Sequence, residues 1–109
     1  MSVEKLQEYI DSLEELKKAY TKVREYGETI SNTSRYLNNF PYKMTVSNIQ
    51  VGFQIVAEHE YTLNGDDWPT AKQLAEALSD YINKRSKSRT LYQSLTEAQR
   101  GTIQPHPDI

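Results

Sequence analysis

The densest group of side chains that could do chemistry in this sequence is Glu58-His59-Glu60, followed by Asp66 and Asp67. Carboxylates and imidazoles bind divalent metal ions and carry out acid–base catalysis. In a strand, however, Glu58 and Glu60 share one face and His59 points to the other, so the three cannot meet at one ion. No EF-hand spacing is present. A metal-dependent subunit remains an alternative, but the sequence predicts neither a metal site nor a cofactor.

Motifs for nucleophilic or phosphate-transfer chemistry are absent from the sequence. There are no cysteines, which excludes disulfides, thiolate catalysis and cysteine-based metal sites. The four glycines are all isolated, so no glycine-rich loop can cradle a phosphate, and no nucleophile elbow is found. We therefore predict that the protein is not an enzyme.

A basic segment in the second half of the chain is the candidate contact for nucleic acid. It contains Lys84, Arg85, Lys87 and Arg89, and nearby tyrosines could stack on bases. The net charge of the chain is −2, which lacks the strongly basic character of such proteins. The segment also falls near the end of a predicted helix, where cations complement the helix dipole. The sequence thus disfavours nucleic acid as a partner and keeps a nucleic-acid-binding regulator as an alternative.

Tyrosine is the most frequent aromatic residue, with eight copies against one tryptophan and two phenylalanines. Tyrosine presents a large rigid surface with a polar tip, and it is enriched at protein interfaces. The predicted function is a small interaction, assembly or regulatory subunit that binds protein partners, including a second copy of itself as a dimer. The predicted outer contact surface consists of Tyr9, Tyr26, Tyr36 and Tyr92.

Two long amphipathic helices are expected to position these side chains. Apolar residues recur at spacings of three and four over residues 2–38 and again over residues 70–99, as on one face of a helix. Gly27 and residues 31–34 are poor helix formers, which leaves open whether the first helix breaks there. The predicted seam between the helices consists of Leu6, Ile10, Leu13, Tyr20, Val23, Leu78 and Tyr81.

The ends of both helices carry recognisable signals. Asparagines followed by Pro41 end the first helix, because proline cannot continue the hydrogen-bond ladder. Thr70 and Gln73 form a capping-box pattern at the start of the second helix, with Asp67 as the alternative cap. Gly101 is a suitable stop for the second helix.

The segment between the helices, residues 43–63, is predicted to form strands. Apolar residues alternate with polar residues or glycine from Ile49 to Ile55, which is the period of a strand. A helix with Ile49, Phe53 and Val56 on one face is the alternative. The predicted fold class is therefore α+β, with two long antiparallel amphipathic helices and a short β-hairpin or strand segment between them. Residues 1–103 are expected to form a single domain, and residues 104–109 an extended tail.

The charge distribution predicts that the helices pack antiparallel. Residues 2–15 hold five acidic residues and one lysine, whereas residues 16–36 hold five basic and two acidic residues. Residues 66–80 hold four acidic residues and one lysine, whereas residues 81–100 hold five basic residues and one glutamate. Antiparallel packing sets each acidic half against a basic half, within one chain or between two copies. Matching of each helix to its own dipole is the alternative explanation.

The two ends of the chain bear on location and docking. The amino terminus has no basic stretch followed by an apolar run, and no segment approaches the roughly 20 apolar residues of a membrane span. We expect a cytoplasmic protein without membrane contact. Near the other end, His106 lies between two prolines, which suits either a docking peptide or a disordered end.

Overall fold

Two long helices, a two-stranded sheet and a short third helix make up the described part of the chain. The computed structural model describes residues 3–47 and 60–109. In chain order the elements are α1 (Val3–Asn39), β1 (Met44–Ser47), β2 (Tyr61–Asn64), α2 (Ala71–Ser94) and α3 (Glu97–Arg100). The predicted α+β class is confirmed. Across these two ranges, no helix combines the length and the apolarity needed to cross a bilayer.

Helix α1 is one uninterrupted helix, so neither Gly27 nor residues 31–34 break it. It ends one residue later than predicted, where the Phe40 N–H donates to the Tyr36 carbonyl oxygen at 2.8 Å. A short 3-10 helix then begins at Pro41. The predicted stop signal is therefore confirmed.

Helix α2 begins as predicted but ends earlier. The Gln73 N–H donates to the Thr70 hydroxyl at 3.1 Å and the Thr70 N–H donates to the Gln73 side chain at 3.0 Å, which completes the capping box. The predicted end near residue 99 is wrong, because α2 stops at Ser94. Thr96 forms a second capping box with Gln99 and starts α3. A threonine side chain that caps a new helix competes with continuation of the old one.

Residues 3–23 and 75–109 form one compact unit, the terminal unit. Within it α1 and α2 pack antiparallel, because residues later in α1 contact residues earlier in α2. The rings of Tyr9 and Tyr92 lie 5.4 Å apart, and those of Tyr20 and Tyr81 lie 5.9 Å apart. The antiparallel orientation predicted from the charge distribution is therefore found.

The buried seam of the terminal unit differs from the predicted one, because the buried residues of α1 are mostly the immediate neighbours of the predicted ones. Its buried residues are Tyr9, Ser12, Leu16 and Ala19 of α1, with Ala77 and Ser88 of α2. The predicted residues Leu6, Ile10, Leu13, Tyr20, Val23 and Tyr81 are half-buried at its flanks. Leu78 was assigned to the seam wrongly, because 38% of it is exposed. Small side chains at the centre allow close approach of the helices, which a search for large apolar residues overlooks.

Residues 24–74 form the second compact unit, the central unit. Strands β1 and β2 pair in parallel, with Met44 opposite Tyr61 and Ser47 opposite Asn64. The two described strands therefore form no hairpin with each other, and the alternative of a strand segment is the one found. The predicted alternating run from residue 49 to residue 55 lies outside the described residues.

The central unit is held together by contacts between α1 and the start of β2. The rings of Tyr36 and Tyr61 stack, with centroids 4.9 Å apart and planes 7° apart. The Thr33 and Tyr61 hydroxyls lie 3.0 Å apart. Thr33, Tyr36 and Met44 are buried, so the small sheet is anchored to the second half of α1.

Candidate functional site

The four tyrosines predicted as an outer surface do not share one environment. Tyr9 is 1% exposed and Tyr36 is 7% exposed, which removes both from the free surface of the chain. Their burial follows from ring contacts, Tyr9 with Tyr92 and Tyr36 with Tyr61. Tyr26 and Tyr92 are half-buried. The prediction of a surface composed of all four is therefore corrected.

Glu60, from the acidic cluster singled out in the sequence, is a partner of Tyr36. The Tyr36 hydroxyl donates to Glu60 Oε2 at 2.9 Å. This hydrogen bond raises the pKa of Tyr36 above its ordinary value, because the phenol must stay protonated to donate. Glu58 and His59 lie outside the described residues. Across residues 3–47 and 60–109, no three acidic or histidine side chains are close enough to share a metal ion.

A cavity of about 460 Å³ lies in the central unit and is lined mainly by acidic and polar side chains. Tyr26 lines it, as do Asp66 and Asp67 from the turn that follows β2. The Asn64 side chain accepts a hydrogen bond from the Asp66 N–H at 2.9 Å, which fixes this turn. The remaining charged lining residues are Glu25 and Glu28. Tyr26 therefore faces an acidic environment that does not suit nucleic acid phosphates.

The basic segment of α2 has partners within its own chain. Lys84 Nζ lies 3.6 Å from carboxylate oxygens of both Glu15 and Asp80. The Arg85 Nε–H donates to the Ile109 main-chain oxygen at 2.9 Å. The Lys84 contacts agree with the interpretation that the segment faces acidic neighbours. Matching to the helix dipole is not supported, because α2 ends at Ser94 and its last turn holds no basic residue.

The remaining two cations of this segment are also close to acidic groups. Arg89 lies 3.6 Å from an Asp108 carboxylate oxygen. Lys87 lines a groove of about 520 Å³ whose other charged residues are Glu8, Asp11 and Glu15. A phosphate backbone would have to compete with these carboxylates for the cations.

The tail, residues 104–109, docks onto the terminal unit through His106. The imidazole Nε2 lies 2.8 Å from the hydroxyl oxygen of Ser88, a residue that is completely buried. The imidazole ring centroid lies 6.1 Å from that of Tyr9 and 6.1 Å from that of Tyr92. The tail therefore lies against its own chain and is not a free end, and its use as a docking peptide for another protein stays a prediction.

Burial shapes the protonation of this cluster. It lowers the pKa of His106 below its ordinary value of 6.5, and the nearby Arg89 and Arg85 lower it further, against the opposing hydrogen bond to the Pro107 carbonyl oxygen. Burial also raises the pKa of Tyr9. Both shifts favour the neutral form of the side chain.

An exposed, uncharged stripe runs along α2 on a face away from the buried seam. Its two large members are Leu78, 38% exposed, and Ile82, 58% exposed. They are four residues apart and therefore lie one turn apart on the same face. The stripe is completed by small or uncharged exposed residues, namely Ala75, Ser79, Asn83 and Ser86. Ala77 and Ser88 are buried in the seam, so the adjacent residue Leu78 lies on a different side of α2.

Comparison with known proteins gives no match to this chain among family models, curated protein sequences or solved structures.

Proposed function

We propose that this protein is a small non-enzymatic interaction subunit that self-associates through the exposed stripe of α2. The observation that carries the proposal is the exposure of Leu78 and Ile82 at 38% and 58% on a helix that is otherwise rich in charge. The proposal keeps a helical contact surface but moves it from the tyrosines to the aliphatic residues of α2.

The composition of the stripe suits contact with another protein. Single exposed apolar residues are ordinary on protein surfaces, whereas adjacent ones rimmed by polar groups characterise interaction sites. The stripe combines two aliphatic side chains with alanine and serine, which let a second helix approach closely. Ser79, Asn83 and Ser86 can supply hydrogen bonds at its rim.

Charge complementarity points to a second copy of the chain as the partner. The first half of α2 carries Glu76 beside the stripe, and the second half carries Lys87, whereas Lys84 and Asp80 pair with each other and Lys84 faces Glu15 of α1. Two copies of α2 laid antiparallel bring the acidic half of each against the basic half of the other. A two-fold axis that passes between Leu78 and Ile82 produces this pairing. It also sets Leu78 of each copy against Ile82 of the other.

Sedimentation equilibrium from low micromolar to millimolar concentration tests this proposal. The mass is expected to rise from that of one 12.6 kDa chain to that of two as concentration increases. An Ile82→Glu variant should shift this transition to higher concentration, because each copy would place a carboxylate against the acidic half of the other.

The matched control introduces the same side chain at an exposed apolar residue elsewhere, Val3→Glu, because Val3 is 82% exposed on α1. This control should associate as the natural chain does. A single-chain mass at every concentration, or equal effects of the two substitutions, would contradict the proposal.

A further inference from the structure

We propose that the tail, residues 104–109, is a proton-sensitive strap that covers the Tyr9–Tyr92 pair and is released when His106 takes up a proton. This inference does not depend on self-association through α2. It concerns the opposite side of the same helix, where the tail contacts Ser88.

The tail is held at three points within the terminal unit. His106 lies within hydrogen-bond distance of Ser88 and packs against the Tyr9–Tyr92 pair, with its ring centroid 6.1 Å from each tyrosine ring. The Ile109 main-chain oxygen accepts a hydrogen bond from Arg85 at 2.9 Å, and Asp108 lies 3.6 Å from Arg89. The tail has no helix or strand of its own, so these contacts are what position it.

The hydrogen bonds of His106 define its neutral form. Nδ1 lies 2.8 Å from the Pro107 carbonyl oxygen, which can only accept, so Nδ1 carries a hydrogen. In the neutral ring Nε2 is therefore an acceptor, and the Ser88 hydroxyl donates to it. A second proton would turn Nε2 into a donor, and the Ser88 hydroxyl would then donate to the Arg85 carbonyl oxygen, 3.2 Å away.

The hydrogen bonds around His106 can therefore rearrange when the ring is protonated. The charged groups around the ring, in contrast, oppose its protonation. The groups that face His106 are Tyr9 from α1, and Arg85, Arg89 and Tyr92 from α2, with Asp108 in the tail. Tyr9 stays neutral, since its pKa is raised by burial. An imidazolium here would lose hydration and meet two guanidinium groups, and Asp108 is already paired with one of these.

The sign of the pH dependence follows from this environment. Docking lowers the pKa of His106 from its free value of 6.5, so the released tail binds the proton more tightly than the docked tail. Docking is therefore fully stable above about pH 6.5 and weakens as pH falls from there through the docked pKa. Each unit of difference between the two pKa values weakens docking tenfold once pH is below both.

Release would uncover an aromatic surface. Tyr9 is 1% exposed and contacts both Tyr92 and His106. Withdrawal of the imidazole leaves the Tyr9–Tyr92 pair, Arg85 and Arg89 open to solvent on that side. Exposed tyrosines beside arginines form a surface of the kind enriched in protein interfaces.

NMR of the full chain tests the strap. From about pH 8 to about pH 5, the contacts of the His106 ring with Tyr9 and Tyr92 should weaken as the tail amides become more mobile in 15N relaxation. A His106→Gln variant should show the same tail mobility at both pH values, because its side chain does not titrate. His59→Gln, at the other histidine of the chain, is the matched control and should respond as the natural chain does.

A second variant separates electrostatics from packing. Arg89→Gln removes one of the two cations near the imidazole, so the tail should be docked less tightly at neutral pH but lose less of its docking on acidification. The inference is overturned if His106 titrates while the tail stays equally rigid at both pH values. It is also overturned if His106→Gln keeps the pH dependence of the natural chain.

Discussion

Truncation of Ile82 to alanine gives the sharpest quantitative prediction for self-association. Complete burial of an isoleucine side chain is worth about 1.5–3 kcal/mol. Ile82 is already part-buried in the single chain and retains 58% exposure, so burial of the remainder contributes roughly 0.9–1.7 kcal/mol per copy. Two copies together contribute roughly 1.7–3.5 kcal/mol, which corresponds to a roughly 20- to 300-fold change in the dimer Kd. Because alanine keeps the Cβ atom, we expect a value toward the lower end.

Sedimentation equilibrium of the natural chain, Ile82→Ala and Val3→Ala measures this difference. Val3→Ala is the control, since Val3 is an exposed β-branched residue of α1 that lies outside the proposed contact. Circular dichroism checks that all three chains keep their helical content. A Kd for Ile82→Ala within about twofold of the natural chain would refute the assignment of Ile82 to the interface, since the difference would be under about 0.4 kcal/mol.

Three further predictions concern stability and are measured by urea unfolding followed by circular dichroism. Leu16→Ala should lower the free energy of unfolding by about 2–5 kcal/mol, because Leu16 is completely buried and truncation leaves a cavity; a loss below about 1 kcal/mol would contradict its central position. Gly27→Ala should raise that free energy by about 0.5–1 kcal/mol, because an added Cβ meets nothing within 4 Å in the middle of α1, and a decrease would show that the helix needs the glycine. Thr96→Ala should cost about 0.5–2 kcal/mol by removing the capping box of α3. Thr102→Ala should cost less, because it keeps the capping box and loses only the hydroxyl bond to the Gln99 carbonyl oxygen.

The features that could be predicted from the sequence are those governed by local signals and by charge. The Thr70 capping box, the stop at Pro41 and the antiparallel helices all follow from residue type and spacing, and the structure contains each of them. Thr96 and Gln99 repeat the capping-box spacing of Thr70 and Gln73. This spacing indicates a new helix start at Thr96. We instead predicted one continuous helix, because the apolar periodicity continues through Leu95.

The register of the helix seam could not be predicted from large apolar residues alone. Ser12 and Ser88 are buried, and a serine in a helix is ordinarily taken as part of the polar face. Ser12 satisfies its hydroxyl on the Tyr9 carbonyl oxygen at 2.7 Å, and Ser88 satisfies its hydroxyl on His106. The Tyr9 carbonyl oxygen lies in the preceding turn of α1, whereas His106 reaches Ser88 from the tail. The partner of Ser88 therefore depends on a contact between distant parts of the chain, which the pattern of α2 does not indicate.

The candidate sites were the least predictable part for the same reason. Ile82 is one of the apolar residues that recur over residues 70–99, but its exposure depends on which side of α2 contacts α1. The tail contacts Ser88, Arg85 and Arg89 because the chain after α3 runs back along α2, a course that residue spacing does not indicate. Residue spacing predicts that these residues lie on α2 or in the tail, but it does not indicate which side chains they contact.

Self-association through α2 is tested most directly by isotope-filtered NMR on a mixture of chains with 13C-labelled methyl groups and unlabelled chains. Near-millimolar samples should show intermolecular contacts between the Leu78 and Ile82 methyl groups of one chain and α2 of the other. A sample that sediments as a dimer yet shows intermolecular contacts only from other surfaces, such as the Val3 end of α1, would contradict the assignment of the interface to α2.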